Sequence, residues 1–147
     1  MNTKKIAIGS DHAAQELRHV VMEYLNEHGY EFVDCGTDTS PSDYPVQAEK
    51  VCKLLQSGEA DTGILLCGTG IGMSLAANKM HGIRAAVCTE TYSAKYTRLH
   101  NDANVLCMGA RVVGAGLALE ILETFLQTGF EGGRHQRRID MIAALEQ

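Results

Sequence analysis

The sequence predicts an α/β protein: a three-layer α/β/α, Rossmann-like domain with a five-stranded parallel sheet. Three observations carry that expectation. Short apolar runs alternate with longer segments whose apolar residues recur at helical spacing. Glycines close most segments, at Gly29, Gly58 and Gly82 among others. Every expected strand is followed by a helix without a break, as in a parallel sheet covered on both faces. The expected strands are 5–9, 31–35, 62–66, 83–88 and 104–108. The first helix spans 14–28, with Leu17, Val20, Val21, Tyr24 and Leu25 on one stripe. A polar loop follows over 36–45, then a helix over 46–56. The glycine-rich segment 68–72 opens a helix reaching about residue 80. A helix over 93–101 precedes the fifth strand, and helices over 115–127 and 134–145 close the chain. No repeat, linker or low-complexity tract divides it, so all 147 residues are read as one domain.

Composition narrows the function. Hydrophobic residues make up 45% and charged residues 21%, an ordinary globular balance. A net charge of -5 offers nothing global to attract a polyanion, which argues against nucleic acid or an anionic membrane as partner. No basic-then-apolar leader precedes Lys4, and no apolar run approaches the ~20 residues that span a bilayer. The five cysteines are odd in number, widely spaced and without a C-x-x-C pair, which points to free thiols in a reducing cytoplasm.

In open parallel sheets ligands bind at the carboxyl ends of the strands. That rim is readable as Ser10-Asp11-His12, segment 36–43, Cys67 to Gly72, Thr89-Glu90 and Gly109-Ala110-Arg111. The third segment is the most informative. A strand runs into Cys67, then Gly68-Thr69-Gly70-Ile71-Gly72, then a helix. A glycine loop opening a helix gathers backbone N–H groups into an anion cradle, and a cysteine at its mouth is favoured as thiolate. The plainer alternative is a tight strand-to-helix turn with Cys67 as a small buried hydrophobe. Cys35 and Cys88 lack such a cradle, and Cys52 reads as packing.

Sharper templates fail on spacing. A dinucleotide fingerprint needs its third glycine one place later than Gly72, although Glu90 lies where a ribose-binding acid would be. The Gly-Lys-Ser/Thr ending of a phosphate-transfer loop is absent, as is the arginine that closes a cysteine-phosphatase loop. His12, His19, His28, His81, His100 and His135 form no close pair suited to a metal, so no metal is expected. Asp11 is equally readable as an N-cap and as a site residue. His100-Asn101 ends a predicted helix, where a histidine softens the dipole. Arg134 and Arg138, with His135 and Arg137, read either as a solvated basic end or as an anion grip. Their place at a helix start opposes the dipole and favours the second.

Several segments together resemble type B ribose-5-phosphate isomerases, in the wider family that includes galactose-6-phosphate and allose-6-phosphate isomerases. They are Gly9-Ser10-Asp11-His12, Asp43-Tyr44-Pro45, Cys67-Gly68-Thr69-Gly70-Ile71-Gly72 and Ala76-Ala77-Asn78-Lys79. Gly82-Ile83-Arg84-Ala85, His100-Asn101-Asp102-Ala103-Asn104-Val105-Leu106 and Gly132-Gly133-Arg134-His135-Gln136 complete the set. Some family members lack the thiol and carry a glutamate later in the loop; with Cys67 and the apolar Ile71, this chain is similar to the cysteine subgroup.

The resemblance implies an aldose–ketose isomerase acting on ribose 5-phosphate and ribulose 5-phosphate, with no cofactor. A hexose 6-phosphate isomerase, or a silent phosphosugar-binding module, is the alternative. The chemistry suits the residues: a tuned Cys67 can shuttle the proton, while the amides of Gly68, Gly70, Ile71 and Gly72, with Thr69, hold the enediolate oxygen. His100 can act as ring-opening acid and base. The resemblance further assigns the phosphate to His12, Arg134 and Arg138, and sugar hydroxyls to Asp11, Asn101 and Arg111. It implies a cytoplasmic homodimer with shared sites, extendable to a dimer of dimers, in which His100, Asn101 and Arg111 face the partner's Cys67 loop.

Overall fold

The computed structural model describes residues 4–36 and 43–146. Five strands form one sheet: β1 (Lys5–Ser10), β2 (Glu31–Gly36), β3 (Thr62–Cys67), β4 (Ala85–Val87) and β5 (Val105–Gly109). Their order is β2-β1-β3-β5-β4, and every pairing is parallel. The expected α/β class and five-stranded parallel sheet are therefore present. Among the described residues six α-helices cover the sheet: α1 (Gln15–Glu27), α2 (Tyr44–Ser57), α3 (Ile71–Ala77), α4 (Thr91–Asn101), α5 (Ala115–Gln127) and α6 (Arg134–Ala143).

Side chains alternate across the pleat, and both faces are buried. Ile6, Ile8, Ile64, Leu66, Leu106 and Met108 point into one core, with Leu17, Val21 and Leu25 of α1 and Ile121, Leu122 and Phe125 of α5. Ala7, Leu65, Cys67, Val105 and Cys107 point into the other, against Ala48, Val51 and Cys52 of α2 and Met73 and Ala77 of α3. Cys67 thus ends the central strand on the α2/α3 side.

Element ends differ from expectation for local reasons. The first helix starts with a single 3-10 turn, His12–Ala14, capped by Asp11, whose Oδ1 accepts from Ala13 N–H at 3.0 Å. α3 stops at Ala77 rather than near residue 80. Asn78 leaves the helix to pair with Ala85 through both ends of its amide, at 2.8 and 2.9 Å. β4 is only three residues long and lies at the sheet edge, paired with β5 alone. α4 begins two residues early, where the Glu90 carboxylate accepts from Ser93 N–H at 2.8 Å. Glu90 is a cap, which explains its position after a strand without any ribose. Most of rim segment 36–43 lies outside the described residues.

From β1 the chain steps outward to β2, then returns past β1 to place β3 on its other side. The carboxyl ends of β1 and β3 therefore flank a topological switch point, where such sheets open a crevice.

Candidate active site

At this switch point the backbone builds a tight loop around one thiol. Cys67 is buried, and its Sγ accepts a hydrogen bond from Gly70 N–H at 3.1 Å. Gly70 turns the chain with φ +82°, and a Cβ there would lie 2.9 Å from the Met108 carbonyl carbon. Thr69 Oγ1 accepts from Ile71 N–H at 3.2 Å, so its own proton is left to donate. The amides of Gly72 and Met73, next in the first turn of α3, have no partner within the helix.

The neighbouring strand stitches this loop down. Ala110 N–H donates to Cys67 O at 2.8 Å, and Arg111 N–H to Gly68 O at 3.1 Å. Gly109 has to be glycine on steric grounds, since a Cβ would sit 2.5 Å from backbone atoms of Thr69. Gly109→Ala should therefore displace the loop, costing ~1–3 kcal/mol of stability. Thermal unfolding and turnover would fall together; an unshifted Tm with normal activity would contradict this geometry.

Four more residues meet here. Asp11 N–H donates to Leu66 O at 3.1 Å, which holds the 3-10 turn and the exposed His12 on the rim. One Asp11 oxygen is committed to its cap. The Arg111 guanidinium lies over its own Gly68, with Nη1 3.5 Å from where a Cβ would stand. This corrects the expectation that Arg111 serves the partner's loop: the short link from β5 leaves it beside the loop of its own chain. The Tyr44 ring covers Gly72 so closely that a Cβ would be 2.6 Å from it. Asp43-Tyr44-Pro45 was legible as a motif, but nothing in it revealed that the ring packs on the glycine loop.

His100, Asn101, Arg134 and Arg138 are not part of this group. They cluster where the end of α4 meets the start of α6. His100 and His135 stack at 4.1 Å between ring centroids and 11° between planes, and the Tyr96 ring meets His100 edge-on at 5.1 Å. Glu131 is tied to α4 by its N–H to Leu99 O at 3.0 Å. Its carboxylate approaches His100 Nε2 at 3.9 Å and His135 Nε2 at 3.7 Å. His135 is buried, and desolvation followed by the charge of His100 pushes its pKa down. Arg134, Arg137 and Arg138 are exposed in the first turns of α6, which has no side-chain cap. Sequence reading passed over Glu131, because only the fold brings it beside both histidines.

Helix α4 runs antiparallel to the strands, so its last turn lies beside the amino-terminal end of β5, at Asn104. Cys67 pairs with Gly109 at the other end of that strand. A five-residue strand puts these ends on the order of 15 Å apart. His100 cannot reach the Cys67 of its own chain.

His100, Glu131 and His135 are also the group of three metal-type ligands found among the described residues, with ligand atoms within 4.8 Å of one another. Two imidazoles stacked nearly parallel direct their lone pairs side by side rather than toward a common point. That arrangement does not fit a tetrahedral ion. Burial pushes the remaining thiols up, Cys52 to about 12 and Cys88 to about 11, with Cys107 and the half-buried Cys35 also raised. No helix among the described residues is long and apolar enough to cross a membrane. A cavity of about 530 Å³ beside Ala60, Asp61 and Gly82 opens on the amino-terminal edge of the sheet, away from Cys67.

The structure thus places one thiol under a backbone amide at the switch point of the sheet, with His100 and the arginines of α6 grouped elsewhere. The chain belongs to the ribose/galactose isomerase family, whose profile matches residues 6–142. It is 52% identical to ribose-5-phosphate isomerase B of Escherichia coli over 145 residues, 98% of this chain and 97% of that protein. The solved structure of a ribose 5-phosphate isomerase from Thermotoga maritima superposes with a TM-score of 0.94 at 52% identity, covering 97% of this chain and 99% of that one. A D-erythrulose-4-phosphate isomerase of Pectobacterium atrosepticum is 43% identical over 96% of this chain and 94% of its own length.

Proposed function

We propose that the protein interconverts ribose 5-phosphate and ribulose 5-phosphate by enediolate proton transfer, at sites shared between two subunits of a homodimer. The observation that carries the reading is the Cys67 thiol beneath Gly70 N–H, beside Thr69 and the open first turn of α3. His100 takes the proton of the anomeric hydroxyl and returns one to the ring oxygen, which opens the furanose. Cys67 thiolate removes the C2 proton of the aldehyde and delivers it to C1, while the proton of the C2 hydroxyl passes to O1. Amides of Gly68 and Gly72, with the Thr69 hydroxyl, hold the enediolate oxygen, each well-placed donor being worth ~3 kcal/mol, whereas the Gly70 and Ile71 amides expected to join them are committed to Cys67 Sγ and Thr69 Oγ1. Asp11, Asn101 and Arg111 contact sugar hydroxyls.

The length of β5, on the order of 15 Å, separates Cys67 from the last turn of α4 within one chain and supports a shared site, with a two-fold axis supplying each loop with its partner's His100 and Asn101. Ile71 and Leu75 on the outer face of α3 support it: they are 54% and 64% exposed beside the loop, apolar surface suited to a partner. His12 and the arginines Arg134 and Arg138 grip the phosphate. Each arginine replaced by Ala should raise KM for ribose 5-phosphate by about 10- to 100-fold, the loss of one or two charge-assisted bonds. Part of kcat should fall too, since remote binding assists chemistry. Exhaustive chelation should leave turnover unchanged; an obligatory divalent ion would end the mechanism.

The substrate test is a panel of tetrose, pentose and hexose phosphates ranked by kcat/KM. The five-carbon pair should lead. A hexose 6-phosphate at the top would move the reading to the hexose isomerases, and no turnover of any sugar would leave a phosphosugar-binding module. The relative from Pectobacterium, a D-erythrulose-4-phosphate isomerase, shows why a tetrose belongs in the panel.

A further inference from the structure

The last turn of α4 carries His100 and Asn101, and a helix end is poorly fixed because its final carbonyls have no partner in the helix. Here an arginine from another element reaches them. Arg84, in the segment entering β4, donates through Nε to Asn101 O at 2.9 Å and to Asp102 O at 3.1 Å, and through Nη2 to Asp102 O at 2.9 Å. Arg84 is itself seated, its N–H donating to Asn104 Oδ1 at 2.8 Å while Asn104 Nδ2 donates to Gly82 O at 2.9 Å.

The opposite side of the turn is pinned as well. The buried Arg98 donates to Asp102 Oδ1 at 2.8 Å, to Ala103 O at 2.7 Å and to Thr128 O at 3.0 Å. Between the two guanidinium groups, Asp102 has φ +45°, the one positive value at a non-glycine position among the described residues. A left-handed aspartate persists only where its surroundings over-determine it. The Arg84 backbone also joins the edge of the sheet, its carbonyl accepting from Asn104 N–H at 3.0 Å and from Val105 N–H at 3.3 Å. The common effect of the side-chain contacts is to fix the backbone that presents His100 and Asn101.

We propose that Arg84, acting with Asp102, is a positioning residue for His100 and Asn101, holding the end of α4 at the angle from which it enters the partner's site. The inference rests on the reading of His100 as the ring-opening group. A misplacement of about 1 Å at such a group can cost on the order of 100-fold in rate.

Two readouts separate positioning from general damage. Ribulose 5-phosphate has no furanose to open, because O5 carries the phosphate, so exchange of its C1 hydrogen with deuterated water reports the Cys67 step alone. Turnover of ribose 5-phosphate requires ring opening as well. Arg84→Ala should lower turnover by about 10- to 100-fold, with a much smaller loss of exchange, reproducing the split of His100→Ala at lower amplitude. Arg84→Lys should recover little, since an ammonium cannot fork to two carbonyls, whereas added guanidinium ion should partly restore Arg84→Ala. Wild-type turnover in Arg84→Ala, or parallel loss of both activities where His100→Ala shows the split, would overturn the proposal. Should Arg84→Ala not fold, Asp102→Asn, which tolerates the left-handed backbone but lacks the charge, must show the same split. Parallel loss or no change there overturns it equally. If His100→Ala itself loses both activities together, the ring-opening role fails separately. The clamp then stands or falls on whether Arg84→Ala matches His100→Ala in both readouts.

Discussion

Cys67→Ala should lower turnover of ribose 5-phosphate by about a thousand-fold, the middle of the range for removing a general acid–base group, while phosphosugar binding survives. Binding survives because the phosphate grip lies on other residues and the loop keeps its glycines. Calorimetry on the variant gives the affinity, and coupled turnover gives the rate. A thiol reagent should inactivate the native protein, with protection by substrate. The labelled peptide should be the one carrying Cys67, since burial pushes Cys52 up to about 12 and Cys88 to about 11, and also raises Cys35 and Cys107. Near-normal turnover in Cys67→Ala would remove the thiol from the mechanism.

Mixing lesions should restore activity. Cys67→Ala and His100→Ala are each expected to be nearly inactive as homodimers. In a mixed dimer one site receives both lesions and the other receives neither, because the two residues serve different sites. Random pairing makes half of the dimers mixed, so co-expression should recover roughly a quarter of wild-type activity. If one chain supplied both residues to one site, every site would carry a lesion and nothing would return. A stable mixed dimer no more active than the single variants would refute the shared site and leave the isomerase chemistry untouched.

The local code of this chain was legible because it is written in neighbouring residues. Glycines at 29, 58 and 82 stop segments, an apolar run cannot stay in water, and Cys67 followed by three alternating glycines makes a strand, a turn and a helix in any context. Resemblance extended that reading to the site residues.

Contacts between distant segments were not legible. Nothing in 83–88 announces an edge strand; β4 lies outside β5 because of how the whole sheet is ordered. Arg111 was expected across an interface, yet two backbone hydrogen bonds from β5 to the loop bring it over its own Gly68. Glu131 drew no notice as one carboxylate among many, until the link from α5 to α6 brought it beside two imidazoles. The sequence by itself determined the class of fold, the thiol cradle and the inventory of candidate residues. Only the tertiary structure divided that inventory into two groups a strand's length apart. Propensity and turn chemistry act over a few residues, whereas which groups meet depends on packing that sums over the entire chain.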